Sequence, residues 1–365
     1  MHVIVVGAGI SGLSTAWALT RRGVDVTLLE QGPIPNPLSA SGDQHRIIRR
    51  AYGGKGGYQR RISAAYAAWD SMWSDLGTSH LIDTGFLILS QQPGDEGEEY
   101  RDGLVSSGYT PEMMSGAEAA ARYPFLDGDS LRFAAYHPEG GVLLCQKIAA
   151  GLRDWLRDKG ADVREQTRVT AVDAAAGAVT LSSGERLVAD HVVIAAGAWV
   201  LKLLPELATS LTTYRTAVVY LEPPADLKPH WEAAPVVLDI GGPVDGYILP
   251  PVAGTGLKFG AGYHKRAAAP DEDRTAAVGE GEVVRDLFSP PIARIGEYRP
   301  TDVVTCAYTF TRDEHFFMQP GARLSVVSAC SGHGYKFGAV VGQKVAEGLL
   351  DGDLEATRIW LEARD

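Results

Sequence analysis

Apolar residues come in short runs that stop at glycines, and the first begins at once. His2-Val3-Ile4-Val5-Val6 ends at Gly7, and its β-branched content predicts a buried parallel strand. From Ser11 to Arg22, Leu13, Ala16 and Leu19 share one helical face, with Gly23 as the stop. Val24 to Glu30 predicts a second strand, so the chain opens as strand, helix, strand. A polar loop with prolines, Gly32 to Asp43, precedes a helix over Arg60–Leu76 and a strand over Leu81–Ser90. Glu96 to Arg122 reads as helical in parts, with Ser115-Gly116-Ala117-Glu118 as a capping signal. Phe133 to Leu144 reads as strand and turn, and Gln146 to Lys159 as a periodic helix stopped by Gly160. Short strands are expected over Asp162–Gln166, Arg168–Asp173, Ala178–Leu181 and Leu187–Ala195, the last running into Ala196-Gly197. Leu211 to Gly262 is mostly strand, and Asp271 to Phe288 is helix or acidic loop. An apolar strand, Leu324–Ala329, runs into Cys330-Ser331-Gly332-His333-Gly334 and a helix over Ala339–Leu350. The pattern is that of a chain which leaves one domain and returns to it more than once.

The turn Gly7-Ala8-Gly9-Ile10-Ser11-Gly12 sits between the first strand and its helix, the context a dinucleotide fingerprint requires. Gly7 permits the tight turn, Gly9 lets backbone approach a pyrophosphate, and Gly12 lets helix and strand pack closely. The helix start offers free N–H groups and a positive dipole end to phosphate. Glu30, closing the second strand, is placed to accept from a ribose hydroxyl pair. The turn alone does not separate NAD from FAD; the strand ending at Ala195-Ala196-Gly197 leans towards a two-domain flavoprotein.

Composition narrows the class. The chain has 365 residues, 45% hydrophobic and 22% charged, which suits two globular domains. No stretch approaches the roughly 20 apolar residues of a membrane span. The N-terminus lacks the marks of a secretory signal and the C-terminus carries no recognisable sorting tag, so a cytoplasmic location is expected. A net charge of −11 without a basic stripe argues against nucleic acid; the cluster Arg46, Arg49, Arg50 suits a small anion instead. Three widely spaced cysteines, Cys145, Cys306 and Cys330, form no disulfide framework and no zinc motif, and no metal site is expected.

Three further stretches carry a resemblance: Ser41-Gly42-Asp43-Gln44-His45-Arg46-Ile47-Ile48-Arg49-Arg50-Ala51-Tyr52, Cys306-Ala307-Tyr308-Thr309-Phe310, and Ser331-Gly332-His333-Gly334-Tyr335-Lys336-Phe337. With the glycine turn they resemble the monomeric sarcosine oxidase family, which includes N-methyl amino acid oxidases, within the D-amino-acid-oxidase-like flavoproteins. The resemblance runs nearly end to end. It implies an α/β fold, with an FAD-binding Rossmann-type domain of the glutathione-reductase type interleaved with an α+β substrate domain containing an antiparallel sheet. Residues 1–85, 146–210 and 306–365 would form the first, and 86–145 and 211–305 the second. It implies a monomer that takes a small carboxylate-bearing amine and O2.

The same resemblance assigns residues. FAD would contact Gly7, Ala8, Gly9, Ile10, Ser11, Gly12, Glu30, Gln31, Ser41, Arg46, Ile47, Val169, Ala196, Gly197, Trp199, Gly332, Gly334, Tyr335 and Lys336. Cys306 matches the cysteine joined to the flavin 8α carbon by a thioether, while Cys145 and Cys330 read as core. Arg49 and Lys336 match a carboxylate clamp; an arginine fork and a lysine point charge are the fixed cations such a group needs. Arg50 falls outside the match and reads as solvated. Lys258 alternates between apolar neighbours in Gly256-Leu257-Lys258-Phe259-Gly260, so an inward lysine there is costly without a task. It matches the lysine that assists oxygen reduction. Tyr247, His264 and Tyr308 match pocket positions.

The chain departs from that pattern twice. Two residues stand between Asp43 and Arg46 where the family has one, and Ser41 replaces its flavin-facing histidine, which leaves Ser41 and His45 both as candidates for that place. Gly260-Ala261-Gly262 also lengthens the link to His264 by two residues. The function implied is oxidation of a secondary amino acid, N-alkyl or cyclic, by hydride transfer to flavin N5, giving an imine and hydrogen peroxide. The alternatives are a dehydrogenase on the same fold that passes electrons to a quinone or protein, and a dinucleotide-binding protein without turnover.

Overall fold

Strand His2–Val6 lies inside a six-stranded sheet in the computed structural model, which describes residues 1–365. The order is Phe317–Gln319, Leu324–Ser328, His191–Ile194, His2–Val6, Asp25–Leu29, Asp162–Arg164, and every pairing except the outermost first one is parallel. Side chains alternate between its faces. Val3, Val5, Val26 and Leu28 pack with helices Ile10–Arg21, Gly56–Leu76, Cys145–Asp158 and Gly338–Asp351. Ile4, Val6, Val192 and Ile194 pack with an antiparallel meander, Val169–Asp173, Ala178–Leu181 and Arg186–Val188. Burial on both faces is why these strands appear as continuous apolar runs.

A second sheet of nine strands is built around Thr212–Glu222, which pairs antiparallel with Leu257–Ala261, Arg266–Ala267 and Arg299–Phe310. One face carries Val219, Leu221 and Phe259 into a core with Phe125, Trp231 and Phe288. From the other face Thr216, Val218, Val304, Cys306 and Tyr308 line a cavity shared with the first sheet. A small third sheet, Arg46–Arg49, Gly140–Leu143 and Leu81–Asp83, joins the two halves.

The expected strand Leu81–Ser90 is two strands in different sheets, Leu81–Asp83 and Phe86–Ser90, because the chain turns at Thr84-Gly85 to cross between halves. Leu187–Ala195 likewise divides into Arg186–Val188, in the meander, and His191–Ile194, in the parallel sheet. Of Asp271–Phe288 only Glu280–Asp286 is helical. Ser115 does form a capping box with Glu118. Strand Arg299–Phe310 holds its register with Thr212–Glu222 through residue 306, where a domain boundary is expected from the sequence. No helix is long and apolar enough to cross a membrane.

Helix Gly338–Asp351 closes the dinucleotide half by lying against Ile10–Arg21. A Cβ on Gly342 would stand 2.2 Å from the backbone of Ser14. Gly342→Ala is therefore expected to cost about 1–3 kcal/mol by overpacking and to lower the melting temperature by several degrees. An unchanged thermal transition would show that the two helices can separate freely.

Candidate active site

Gly9 gives helix Ile10–Arg21 no cap of its own, and beyond Ile10, whose N–H goes to Ser41 Oγ, the N–H groups of the first turn face whatever the glycine turn admits. Gly7 has φ +101°, and a Cβ there would stand 2.5 Å from the carbonyl oxygen of Ala195. Gly12 lies behind the turn, where a Cβ would meet the Gly7 oxygen at 1.8 Å. A Cβ on Gly9 would meet only Ser41 Oγ, at 3.5 Å, which leaves backbone open on that side. Glu30 fixes the turn: its carboxylate accepts from Ala8 N–H at 2.7 Å, Gly32 N–H at 3.0 Å and Asn36 Nδ2 at 2.9 Å.

From this turn a cavity of about 730 Å³ runs across to the antiparallel sheet. It collects nearly all the expected cofactor residues: Gly7, Gly9, Ile10, Ser11, Glu30, Gln31, Ser41, Arg46, Ile47, Val169, Ala196, Gly197, Trp199, Cys306, Gly332, Gly334, Tyr335 and Lys336. Ala8 and Gly12 stay outside its wall, the first turned to Glu30 and the second packed beneath Gly7. Cys330, expected in the core, is half-buried on the wall. Arg50 stays outside, bonded to Glu139.

At the far end Arg49 and Lys336 meet. Arg49 is 5% exposed; Nη2 donates to Tyr100 Oη at 3.3 Å, and Nε and Nη1 have no partner. Lys336 Nζ donates to the carbonyl of His333 at 3.0 Å and to Tyr52 Oη at 3.3 Å. Neither forms an ion pair. Burial, then the neighbouring Arg49, pushes Lys336 well below the ordinary lysine range. Two buried cations without a counter-ion are costly, and unpaired donors on a cavity wall are arranged for an anion from outside. Tyr247 and Tyr308 also line the cavity.

Lys258, His45 and His264 lie off the cavity wall. Lys258 is fully buried and does not reach the cavity wall: Nζ donates to Asp43 Oδ2 at 2.9 Å and to the His45 carbonyl at 2.6 Å. Burial lowers Lys258 to about 8, against the pull of Asp43. Asp43 also accepts from Arg46 at 2.7 Å and Tyr220 Oη at 2.6 Å. The His45 carbonyl faces Lys258, while the His45 ring stacks on Tyr220, off the cavity wall. Ser41, by contrast, is on the wall, its Oγ accepting from Ile10 N–H at 3.0 Å. His264 Nε2 lies 2.8 Å from Glu280 Oε1, off the cavity wall. Glu280, held at about 2 chiefly by its bonds to the buried Arg215, is the counter-ion of a structural network.

Sequence reading passed over Tyr52, Tyr100, His333 and the wall carboxylates Glu96 and Asp245. Tyr52 had a signal: three residues after Arg49, it lies under that guanidinium at 4.5 Å from ring centroid and hydrogen-bonds His333 Nδ1 at 2.9 Å. His333 lies in the Ser331–Phe337 stretch beside Lys336, while Tyr100, Glu96 and Asp245 had no local signal, because chain topology alone brings them to the cavity.

A family profile described as FAD dependent oxidoreductase matches residues 2–348, nearly the whole chain. The chain belongs to that family. Human peroxisomal sarcosine oxidase is 28% identical, over 94% of this chain and 90% of its own. Monomeric sarcosine oxidase of Bacillus sp. (strain B-0618) is 27% identical, over 97% and 93%. In fold the chain is similar to L-proline dehydrogenase from P. horikoshii, with a TM-score of 0.80 and 19% identity over 99% of this chain and 96% of that one. As an FAD-dependent oxidoreductase it has a fitting cradle: the open side of Gly9, the N–H groups of the helix start beyond Ile10, and a cavity of about 730 Å³ that they open into.

An anion bound beside Lys336 raises that lysine's proton affinity, so binding takes up a proton wherever the free ammonium has been lost. Affinity for a simple carboxylate should therefore fall as pH rises through the lowered Lys336 pKa. Acetate titrated against flavin absorbance at several pH values measures this. Lys336→Met should weaken acetate by roughly tenfold or more, the worth of a charge-assisted bond, and flatten the dependence; a flat wild-type profile would contradict it.

Proposed function

We propose that this protein is an oxidase of a secondary amino acid, N-alkyl or cyclic, acting on the C–H bond beside the amine, and that it works as a monomer. The observation that carries this reading is the pair Arg49 and Lys336, buried on the cavity wall without any anion of their own. The sarcosine oxidases among its relatives support the substrate class.

Arg49 offers Nε and Nη1 as a two-pronged fork to a carboxylate, and Lys336 adds a point charge. Holding that group at the blind end fixes where the α carbon and the amine lie, and orientation accounts for much of such a rate. The two cations also disfavour a further positive charge, so the amine binds as free base, the form that can release hydride. Tyr52 holds Lys336 and underlies Arg49, which keeps the clamp rigid. Bound FAD supplies the hydride acceptor and, once reduced, the electrons passed to oxygen. The product is an imine, open to hydrolysis by water.

Cys306 on the cavity wall is the tether in this reading. Burial pushes its thiol up to about 11, and the charge of Arg46 pulls in the other direction. Arg46 is thus the cation that favours thiolate formation there. Acid precipitation should leave yellow chromophore with the polypeptide, and Cys306→Ser should release it. Flavin wholly in the supernatant of the wild type would remove the tether.

A second reading, a dehydrogenase with a quinone or protein acceptor, is favoured by one feature: Lys258 is engaged by Asp43 and the His45 carbonyl and lies behind the wall. If its charge still assists oxygen, reoxidation of anaerobically reduced enzyme should slow as pH rises through about 8, and Lys258→Met should slow it by about a hundredfold, or ~2.7 kcal/mol of barrier. Stopped-flow mixing with aerated buffer decides. Reduced enzyme that persists in air is a dehydrogenase; peroxide formed with sarcosine, N-alkyl glycines or cyclic imino acids marks the oxidase.

A further inference from the structure

Beside the carboxylate clamp the cavity has a second, oppositely charged corner. Glu96, from helix Glu96–Ser106, and Asp239 and Asp245, which flank a turn of the large sheet, bring their carboxylate oxygens within 4.8 Å of one another. Glu96 and Asp245 line the cavity, and Asp239 is buried behind them. None of the three has an ion-pair partner; Lys265, whose charge reaches Asp245, is bonded to Glu314. Burial, with repulsion from Glu96 added, holds Asp239 well above the ordinary carboxylate range, and Asp245, which is exposed, is raised to about 7 by its crowded surroundings and Glu96. Three crowded carboxylates in this state gain from a cation.

The corner is not isolated. Tyr100 Oη donates to Glu96 Oε1 at 2.8 Å and accepts from Arg49 Nη2 at 3.3 Å. The unpartnered Nε and Nη1 of Arg49, 95% buried by its 5% exposure, belong to the same wall. One small molecule can therefore place an anion on Arg49 and a cation on Glu96 and Asp245. A Cβ on Gly262 would stand 1.8 Å from Asp245 Oδ2, so the glycine that lengthens this loop is what admits Asp245 to the corner.

We infer that the substrate is an amino acid with a second cationic group, an ammonium or guanidinium on its side chain or N-substituent, which Glu96 and Asp245 receive while Arg49 and Lys336 hold the carboxylate. This rests on the oxidation reading above. The corner does not receive the reacting amine. A carboxylate beside the reacting nitrogen would keep it protonated and inert to hydride loss. Glu96 and Asp245 are thus specificity residues, and they discriminate by the unpaired charge that a neutral substrate leaves behind.

The test compares Nα-methyl-L-lysine with Nα-methyl-L-norleucine, which has a chain of similar length without the ammonium, using anaerobic flavin bleaching by the purified, EDTA-dialysed holoenzyme. The ratio of their kcat/KM values should exceed about tenfold in favour of the lysine derivative. It should fall at least tenfold in Glu96→Gln and Asp245→Asn, with the loss mainly in KM. A wild-type ratio near one, or a ratio unmoved by both substitutions, overturns the inference while leaving the oxidation reading intact. A ratio that appears only when calcium or magnesium is restored overturns it in favour of a metal corner. Failure of both compounds and of sarcosine to bleach the flavin brings down both readings together.

Discussion

Asp43 is the group on which both halves converge. It follows the loop that leaves the parallel sheet, yet its bonds go to Tyr220 and Lys258 in the antiparallel sheet and to Arg46 at the start of the arginine strand. Burial alone would raise its pKa, but the two cations and the phenol hold it well below the ordinary carboxylate range. Removing one partner of such a buried pair costs about 3–5 kcal/mol, because the other charge stays behind without compensation. The position of Arg46, and through its strand that of Arg49, depends on this anion.

The cavity is zoned by charge, though the chain as a whole is acidic. At the dinucleotide end the cavity offers backbone N–H groups and the helix dipole, with Arg168 and Lys202 also on its wall. The clamp end has cations without counter-ions, and the corner next to it has carboxylates without counter-ions. Tyr52 and Tyr100 stand between these charges as neutral hydrogen-bonding spacers, with cation–π contact to Arg49 from both sides. A rigid phenol can neighbour an unpaired charge without neutralising it, which leaves the charge available to a ligand.

How much of this was legible in the sequence depended on the range of the cause. The glycine turn, the first strands and the Ser115 cap follow from local chemistry and stand as expected. Arg49, Lys336, Tyr308 and Cys306 were found from local motifs, and the fold brings them to one wall. That Lys258 points inward was legible from its apolar neighbours, but the partners that fix it and His264 are remote, the Asp43–His45 loop in one case and Glu280 in the other. The strand Arg46–Arg49 was missed because its pairing partner, Gly140–Leu143, lies far along the chain and its own residues alternate poorly. Glu96 and Asp245 looked like ordinary surface acids, and only the crossing of two sheets makes them neighbours.

The order of strands in the parallel sheet has a consequence for biosynthesis. Strand His2–Val6 leaves the ribosome first, but its neighbour His191–Ile194 comes from mid-chain, and that strand's other neighbour, Leu324–Ser328, from near the end. The cradle segment Gly332–Lys336 and the helix that closes it come later still. Contacts this distant in sequence form slowly. The nascent chain thus exposes a phosphate-binding turn long before it has a pocket, and dinucleotide capture is an event of the completed polypeptide.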